Sequence, residues 1–228
     1  MSNIQGPNVV TNGMVACWDV GNRASYPGAG TTIIDLAGTS NGTLTNGPTF
    51  DSANLGSLNM TSTEYIDVGN APALQITDAI TLAVWFRTGS NSIFTGVLSK
   101  YNASTSQKAY RLMLHSATLS ALFSSDGSTA SVNLTGGSSM TNNKWRYVVA
   151  TNDGSGGANT ARLYVDGILV DSDTGIASIH NSTENAYIGL QSGFGFQGLI
   201  AYVAIHNVAL SDEDVAQNYN AHRKRFGV

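Results

Sequence analysis

At 228 residues, 42% of them apolar, the chain suits one large domain with a substantial core and is too apolar to be disordered. Its net charge of -4 and sequence pI near 5.4 leave no basic footprint for nucleic acid. Charged residues are only 11% against 25 glycines, which fits short strands joined by many tight turns.

Residues 1–12 show no periodicity and read as an extended N-terminal arm ahead of a domain spanning 13–228. The arm lacks the basic and apolar regions of a signal peptide, and no run approaches the ~18 apolar residues of a membrane helix. The chain is therefore expected to be made in a cytoplasm, to leave without a Sec-type signal if it is exported, and not to insert in a membrane. Met14 to Asp19 is the first strand, and its Cys17, alone in the chain, reads as a buried inert thiol. Residues 21–54 are rich in turns, among them Asn41-Gly42 and Asn46-Gly47-Pro48.

Strands resume at 57–60 and 65–68. Ile80 to Arg87 alternates cleanly, with Ile80, Leu82, Val84 and Phe86 on one face. Further strands are expected at 93–100, 109–115 and 118–124. Trp145 to Thr151 follows, placing Trp145, Tyr147 and Val149 on one side. Asp166-Gly167 between Ala161–Val165 and Ile168–Val170 is a strong hairpin signal. Leu199 to Ile205 is the last strand. Ser211-Asp212-Glu213-Asp214 is a capping box for a helix over about 212–223, whose end carries the cluster His222-Arg223-Lys224-Arg225. About a dozen short strands and one helix imply an all-β, antiparallel two-sheet jelly-roll sandwich with one short C-terminal helix.

The order of the Arg162–Gly167 hairpin, the Gly-rich turn 193–198, the strand 199–205 and the capped helix resembles the concanavalin A-like, laminin-G-like (pentraxin-like) jelly rolls. Upstream, Cys17–Thr32, Asp35-Leu36 and Asn41–Phe50 resemble the version found in tailed-phage structural proteins, as does the ending Asn220–Gly227. This resemblance implies a non-enzymatic virion structural protein: a capsid decoration, fibre or tail component, made in a host cytoplasm and located in the virion. Its partners would be capsid or tail proteins, reached through the arm, the last helix or both, and a symmetric homo-oligomer such as a trimer would suit such a component. A free glycan-binding adhesin and a polysaccharide hydrolase are the alternatives.

Glycosidases need two facing carboxylates, yet the chain holds only Glu64, Glu184 and Glu213 as glutamates, none with an acidic strand neighbour; Asp171 and Asp173 share a face near a turn. The four histidines are scattered, and the G-x-G-x-x-G match at 193–198 joins two strands rather than a strand and a helix. No catalytic residue is assigned. The resemblance implies a structural calcium site at Glu64 and Asp67, although Ala201 stands where relatives carry an aspartate, which weakens it; no other cofactor is expected. Surface polysaccharide would be held by exposed aromatics and amide or carboxylate groups in end loops: Tyr101, Asn102, Asn152, Asp153, Gln191, Phe194 and Phe196.

Overall fold

A computed structural model describes residues 7–228. The strands are β1 (Met14–Asp19), β2 (Thr32–Ile33), β3 (Gly42–Thr45), β4 (Thr49–Asp51), β5 (Ser57–Met60) and β6 (Tyr65–Gly69). They continue as β7 (Ile80–Arg87), β8 (Phe94–Asn102), β9 (Gln107–His115), β10 (Thr118–Phe123), β11 (Val132–Gly136) and β12 (Trp145–Asn152). The last are β13 (Ala161–Val165), β14 (Ile168–Asp173), β15 (Ala186–Ile188), β16 (Leu190–Gln191), β17 (Phe194–Gly195) and β18 (Gly198–His206), followed by helix α1 (Asp212–Phe226).

Two eight-stranded antiparallel sheets pack face to face. The first runs β14-β13-β12-β7-β18-β5-β4, with β1 also paired to β18; the second runs β11-β10-β9-β8-β15-β6-β3-β2. This is the expected concanavalin A-like jelly roll. Alternation builds the core between the sheets: Ile80, Leu82, Val84 and Phe86 of β7 face Leu98, Tyr110, Leu112, Leu114 and Phe123 of the second sheet. The predicted Asp166-Gly167 turn forms with both residues at positive φ (53° and 80°), as a two-residue hairpin demands.

The other face of β7 is also buried. Ala83 and Trp85 join Trp145, Tyr147, Val149, Tyr164 and Tyr202 in a second apolar layer, covered by Val215 and Phe226 of α1. The Ser211 hydroxyl accepts from the Asp214 N–H (3.1 Å) and the Asp214 carboxylate accepts from the Ser211 N–H (3.2 Å), the reciprocal cap expected from sequence. The basic cluster at the far end does more than complement the helix dipole. Arg225 pairs with Asp19 (2.7 Å) and donates to the carbonyls of Asn54 (2.7 Å) and Gly56 (2.8 Å), clamping the helix end to β1 and to the approach to β5. A Cβ at position 21 would fall 2.3 Å from a guanidinium nitrogen of Arg225, so a larger residue there would push this clamp aside.

Residues 1–6 of the arm lie outside the described residues. From Asn8 onward the chain runs along α1: the Asn8 carbonyl accepts from Gln217 Nε2 (2.9 Å), and the Val10 N–H donates to Asn218 Oδ1 (2.7 Å). The Asn12 carbonyl lies 2.8 Å from Nδ1 of the fully buried His206, whose Nε2 has no partner among the described residues. Burial holds both His206 and His222 below the usual histidine value. Unfolded histidine titrates near ~6.5, so acid is taken up by the unfolded chain first. The stability tied to these neutral rings is complete above about pH 6.5 and is lost as pH falls through the lower folded values. The urea midpoint is expected to drop between about pH 7 and pH 5, and His206→Asn to flatten that slope. An unchanged slope in the variant would remove His206 from this role.

Candidate functional site: the open face of the second sheet

With α1 covering the first sheet, the outer face of the second sheet stays accessible. A small hairpin, β16–β17, crosses it. Its two turn residues, Ser192 and Gly193, both have positive φ (46° and 86°), the geometry of a two-residue hairpin turn. The hairpin sits directly on β8: Ser99 Oγ donates to the Leu190 carbonyl (2.7 Å), and the Gly189 N–H donates to the Val97 carbonyl (2.9 Å). A Cβ at Gly96 would lie 2.4 Å from the Gln191 nitrogen, so glycine there is what lets the two backbones meet. Here β8 shifts register twice, at Gly96/Leu98 and at Lys100/Tyr101, which re-aims its last side chains.

The crossing leaves two grooves. The first, of about 340 Å³, lies toward β15 and is lined by Tyr101, Asn102, Ser104, Glu184, Tyr187 and Ser192 among others. Tyr187 is half-buried and meets Tyr65 edge-on, with ring centroids 5.7 Å apart. Glu184 accepts from Asn102 Nδ2 (3.1 Å). Beneath them Lys100, buried, donates to Asn70 Oδ1 and to the Glu184 carbonyl, and burial pulls it down to about 8. The second groove, of about 360 Å³, lies toward β10 and β11. Its aromatic wall stacks Phe94 on His115 (4.9 Å, 7°) with Phe194 tilted against Phe94 (5.1 Å), and its floor includes Arg111 and Ser120. Both volumes fall in the ~300–1,000 Å³ range of small-ligand sites.

Four of the seven residues read from sequence as glycan contacts gather around this hairpin. Tyr101 and Asn102 line the first groove, Phe194 is exposed beside the second, and Gln191 lies between them. Their forms differ from expectation. Tyr101 is 7% exposed, its ring covered by the Arg111 guanidinium at 4.6 Å, so it presents little of its face. Gln191 is buried, with Oε1 accepting from Arg111 (3.4 Å).

The other three lie apart from both grooves. Phe196 is buried in the core, edge-on to Phe86 (5.7 Å), and cannot stack on a sugar. Asn152 is fully buried in the first sheet, where its amide satisfies both the N–H and the carbonyl of Ile176 (2.9 Å each). Asp153, exposed just past the end of β12, caps its own turn through the Ser155 N–H (2.9 Å) and lines a separate, smaller cavity of about 190 Å³ with Thr160 and Arg162.

Of the residues read as calcium ligands, Glu64 accepts from the Thr61 N–H within its turn, and Asp67 accepts from the Gly69 N–H (2.9 Å) and from Asn185 Nδ2 (3.1 Å). Among the described residues no group of three or more His, Cys, Asp or Glu is placed to hold a metal. Cys17 is buried and its thiol is pushed up to about 12 by that burial, the inert state expected.

A family model described as the concanavalin A-like lectin/glucanases superfamily matches residues 60–216. The chain belongs to this superfamily. Among solved structures, the binding domain of Paraclostridial Mosquitocidal Protein 1 superposes with a TM-score of 0.69 at 15% identity, over 92% of this chain and 52% of that one. Domain 4 of an extracellular arabinanase from Geobacillus stearothermophilus, in complex with arabinotriose, gives 0.67 at 15% identity, over 90% and 98%. The ligand binding domain of botulinum neurotoxin serotype D, in complex with N-acetylneuraminic acid, gives 0.68 at 14% identity, over 92% and 51%. The chain thus spans about half the length of the two toxin domains and nearly all of the arabinanase domain. A search of curated proteins finds no sequence match.

The residues of this concanavalin A-like domain that sequence reading missed are Glu184 and Tyr187 in the first groove and Phe94, Arg111 and His115 in the second. The signal available was parity on β9, where Arg111, Met113 and His115 alternate with the core residues Tyr110, Leu112 and Leu114.

Proposed function

We propose that this chain is a non-enzymatic, glycan-binding domain of a virion structural protein. The observation that carries the binding reading is the contrast between the two sheets: α1 seals one outer face, while the other presents two grooves with aromatic rings beside amides and hydroxyls. Such pairing of a flat apolar ring with hydrogen-bonding groups suits pyranose sugars. That domains of this fold have been solved with arabinotriose and with N-acetylneuraminic acid supports it.

Hydrolysis is the weaker reading, because the first groove is lined by one carboxylate, Glu184, and the second by none. The virion role rests on the motif resemblance at 17–50 and 220–227, with capsid or tail proteins as partners through residues 1–12 and α1. Quantitative mass spectrometry of purified particles tests that role: the protein should be present in multiple copies, and its absence would leave a free adhesin.

Binding is tested on a glycan array with the isolated chain. Neutral oligosaccharides are expected to bind weakly, and Tyr187→Ala to weaken them several-fold, to about tenfold, in line with the loss of one aromatic contact. If no neutral glycan binds, or Tyr187→Ala binds as well as the parent, the first groove is not the site.

A further inference from the structure

The second groove differs from the first in charge. Its floor holds the half-buried cation Arg111. Of the other half-buried arginines, Arg146, Arg162 and Arg225 pair with Asp166, Asp212 and Asp19 (2.7, 2.6 and 2.7 Å), while Arg87 lies over the Trp145 ring (5.7 Å) outside both grooves. Arg111 has no acidic partner among the described residues. Its hydrogen bond to Gln191 Oε1 is long (3.4 Å), and its Nε is buried with no partner among the described residues. Tyr101 supports the guanidinium from one side (4.6 Å), which fixes its plane without neutralising it.

A desolvated guanidinium with free donors is costly unless something fills the fork. Burial holds Arg111 below the usual arginine value, the direction expected of a cation lacking compensation. Around it the groove offers the Ser120 hydroxyl, 3.3 Å from Asn133 Oδ1, with Thr135 beyond and the Phe94–His115 stack as a flat wall. Asp171, which touches the groove residue Thr135, is engaged by the N–H groups of Thr135 (2.8 Å) and Ser172 (2.9 Å).

We propose that the second groove binds a sugar carboxylate, of the kind borne by uronic and sialic acids, with Arg111 taking the carboxylate and the Phe94–His115 stack taking the ring face. The inference rests on the glycan-binding reading above and adds to it the ligand class and a second position on the same sheet.

The test titrates the full chain with oligogalacturonate, with N-acetylneuraminic acid and with a neutral galacto-oligosaccharide of matched length. At least one acidic ligand should bind about tenfold or more tightly than the neutral one, as a charge-assisted contact implies. Which of the two does so distinguishes a uronic from a sialic source. Arg111→Gln should erase the preference, Arg111→Lys should retain part of it, and added salt should weaken acidic but not neutral binding. Should Arg111→Gln fail to fold, the salt series on the parent chain and Asn133→Ala, which trims the same groove from an exposed position of edge strand β11, decide the matter. Equal affinity for acidic and neutral sugars, salt-insensitive acidic binding, or a folded Arg111→Gln that keeps the preference would overturn the proposal. If the neutral ligand binds through Tyr187 while acidic ligands show no advantage, only this inference falls; if no sugar binds, both readings fall.

Discussion

Replacing Trp85 with alanine is expected to cost about 3–5 kcal/mol and to lower the melting temperature by roughly 6–20 °C. Trp85 is fully buried beneath α1 and stacks on Phe226 (4.3 Å), Tyr147 (5.2 Å) and Tyr219 (5.8 Å). Its removal opens a cavity where strand β7 and the helix share one aromatic layer, and the ends of that layer are fixed by the Arg225 clamp and the Ser211 cap. They cannot easily collapse inward. Trp85→Phe separates packing from polarity. The indole Nε1 is buried and has no partner among the described residues, so phenylalanine sheds an unsatisfied donor while keeping most of the stack. That variant should lose well under half of what alanine loses. Thermal and urea denaturation of both variants measures this; an alanine variant within about 1 kcal/mol of the parent would mean that α1 does not seal the first sheet through this ring.

The elements that drive this packing were legible because their local signals agree with their tertiary roles. Ile80–Arg87 alternates and is a strand buried on both sides; Asp166-Gly167 makes its turn; Ser211 and Asp214 make their cap. The segment 21–54 was less legible. It holds β2, β3 and β4, which are only two to four residues long and are set among Gly, Asn and Pro. Such strands are specified by the neighbours they join, as β3 is by Ile66 and Asp67 of β6, and not by a period of their own. The helix runs to Phe226 rather than Arg223, because Phe226 belongs to the buried layer and Gly227 in the left-handed region ends it.

At the candidate site the gaps have a different cause. Phe194 and Phe196 share parity, yet one is exposed on the hairpin and the other lies in the core. The chain leaves β17 at Gly195 and turns inward, with the Phe196 N–H bonded to the Gly189 carbonyl (2.8 Å), so a period-2 reading fails at that point. Asn152 looked like a polar loop residue because its partner, Ile176, is far along the chain. For Arg111 the deciding fact is that no acid among the described residues pairs with it, which no strand pattern encodes.

Both grooves depend on the seat of the β16–β17 hairpin, and that seat rests on glycine. At Gly96→Val the new Cβ would fall 2.4 Å from the Gln191 nitrogen and 2.5 Å from the Leu190 carbonyl carbon, and neither backbone atom can yield without moving the hairpin. The same lack of room recurs on the hairpin itself, where a Cβ at Gly195 would meet the Ser62 carbonyl oxygen. The expected stability cost is moderate, about 1–3 kcal/mol, because the hairpin lies outside the main core and shifts away more readily than β8 distorts. The expected functional cost is larger. Leu190, Ser192 and Gly193 leave the wall of the first groove, Gln191 leaves Arg111, and Phe194 leaves Phe94. Binding of neutral and of acidic sugars should then both fall by at least about tenfold, with the far-UV circular dichroism of the sandwich unchanged. Gly89→Ala is the matched control, since its nearest neighbour, Asn143, is a comfortable 3.7 Å away. A Gly96→Val protein that folds and binds both sugars like the parent would show that the hairpin is a passenger on this face, and the grooves would have to be sought without it.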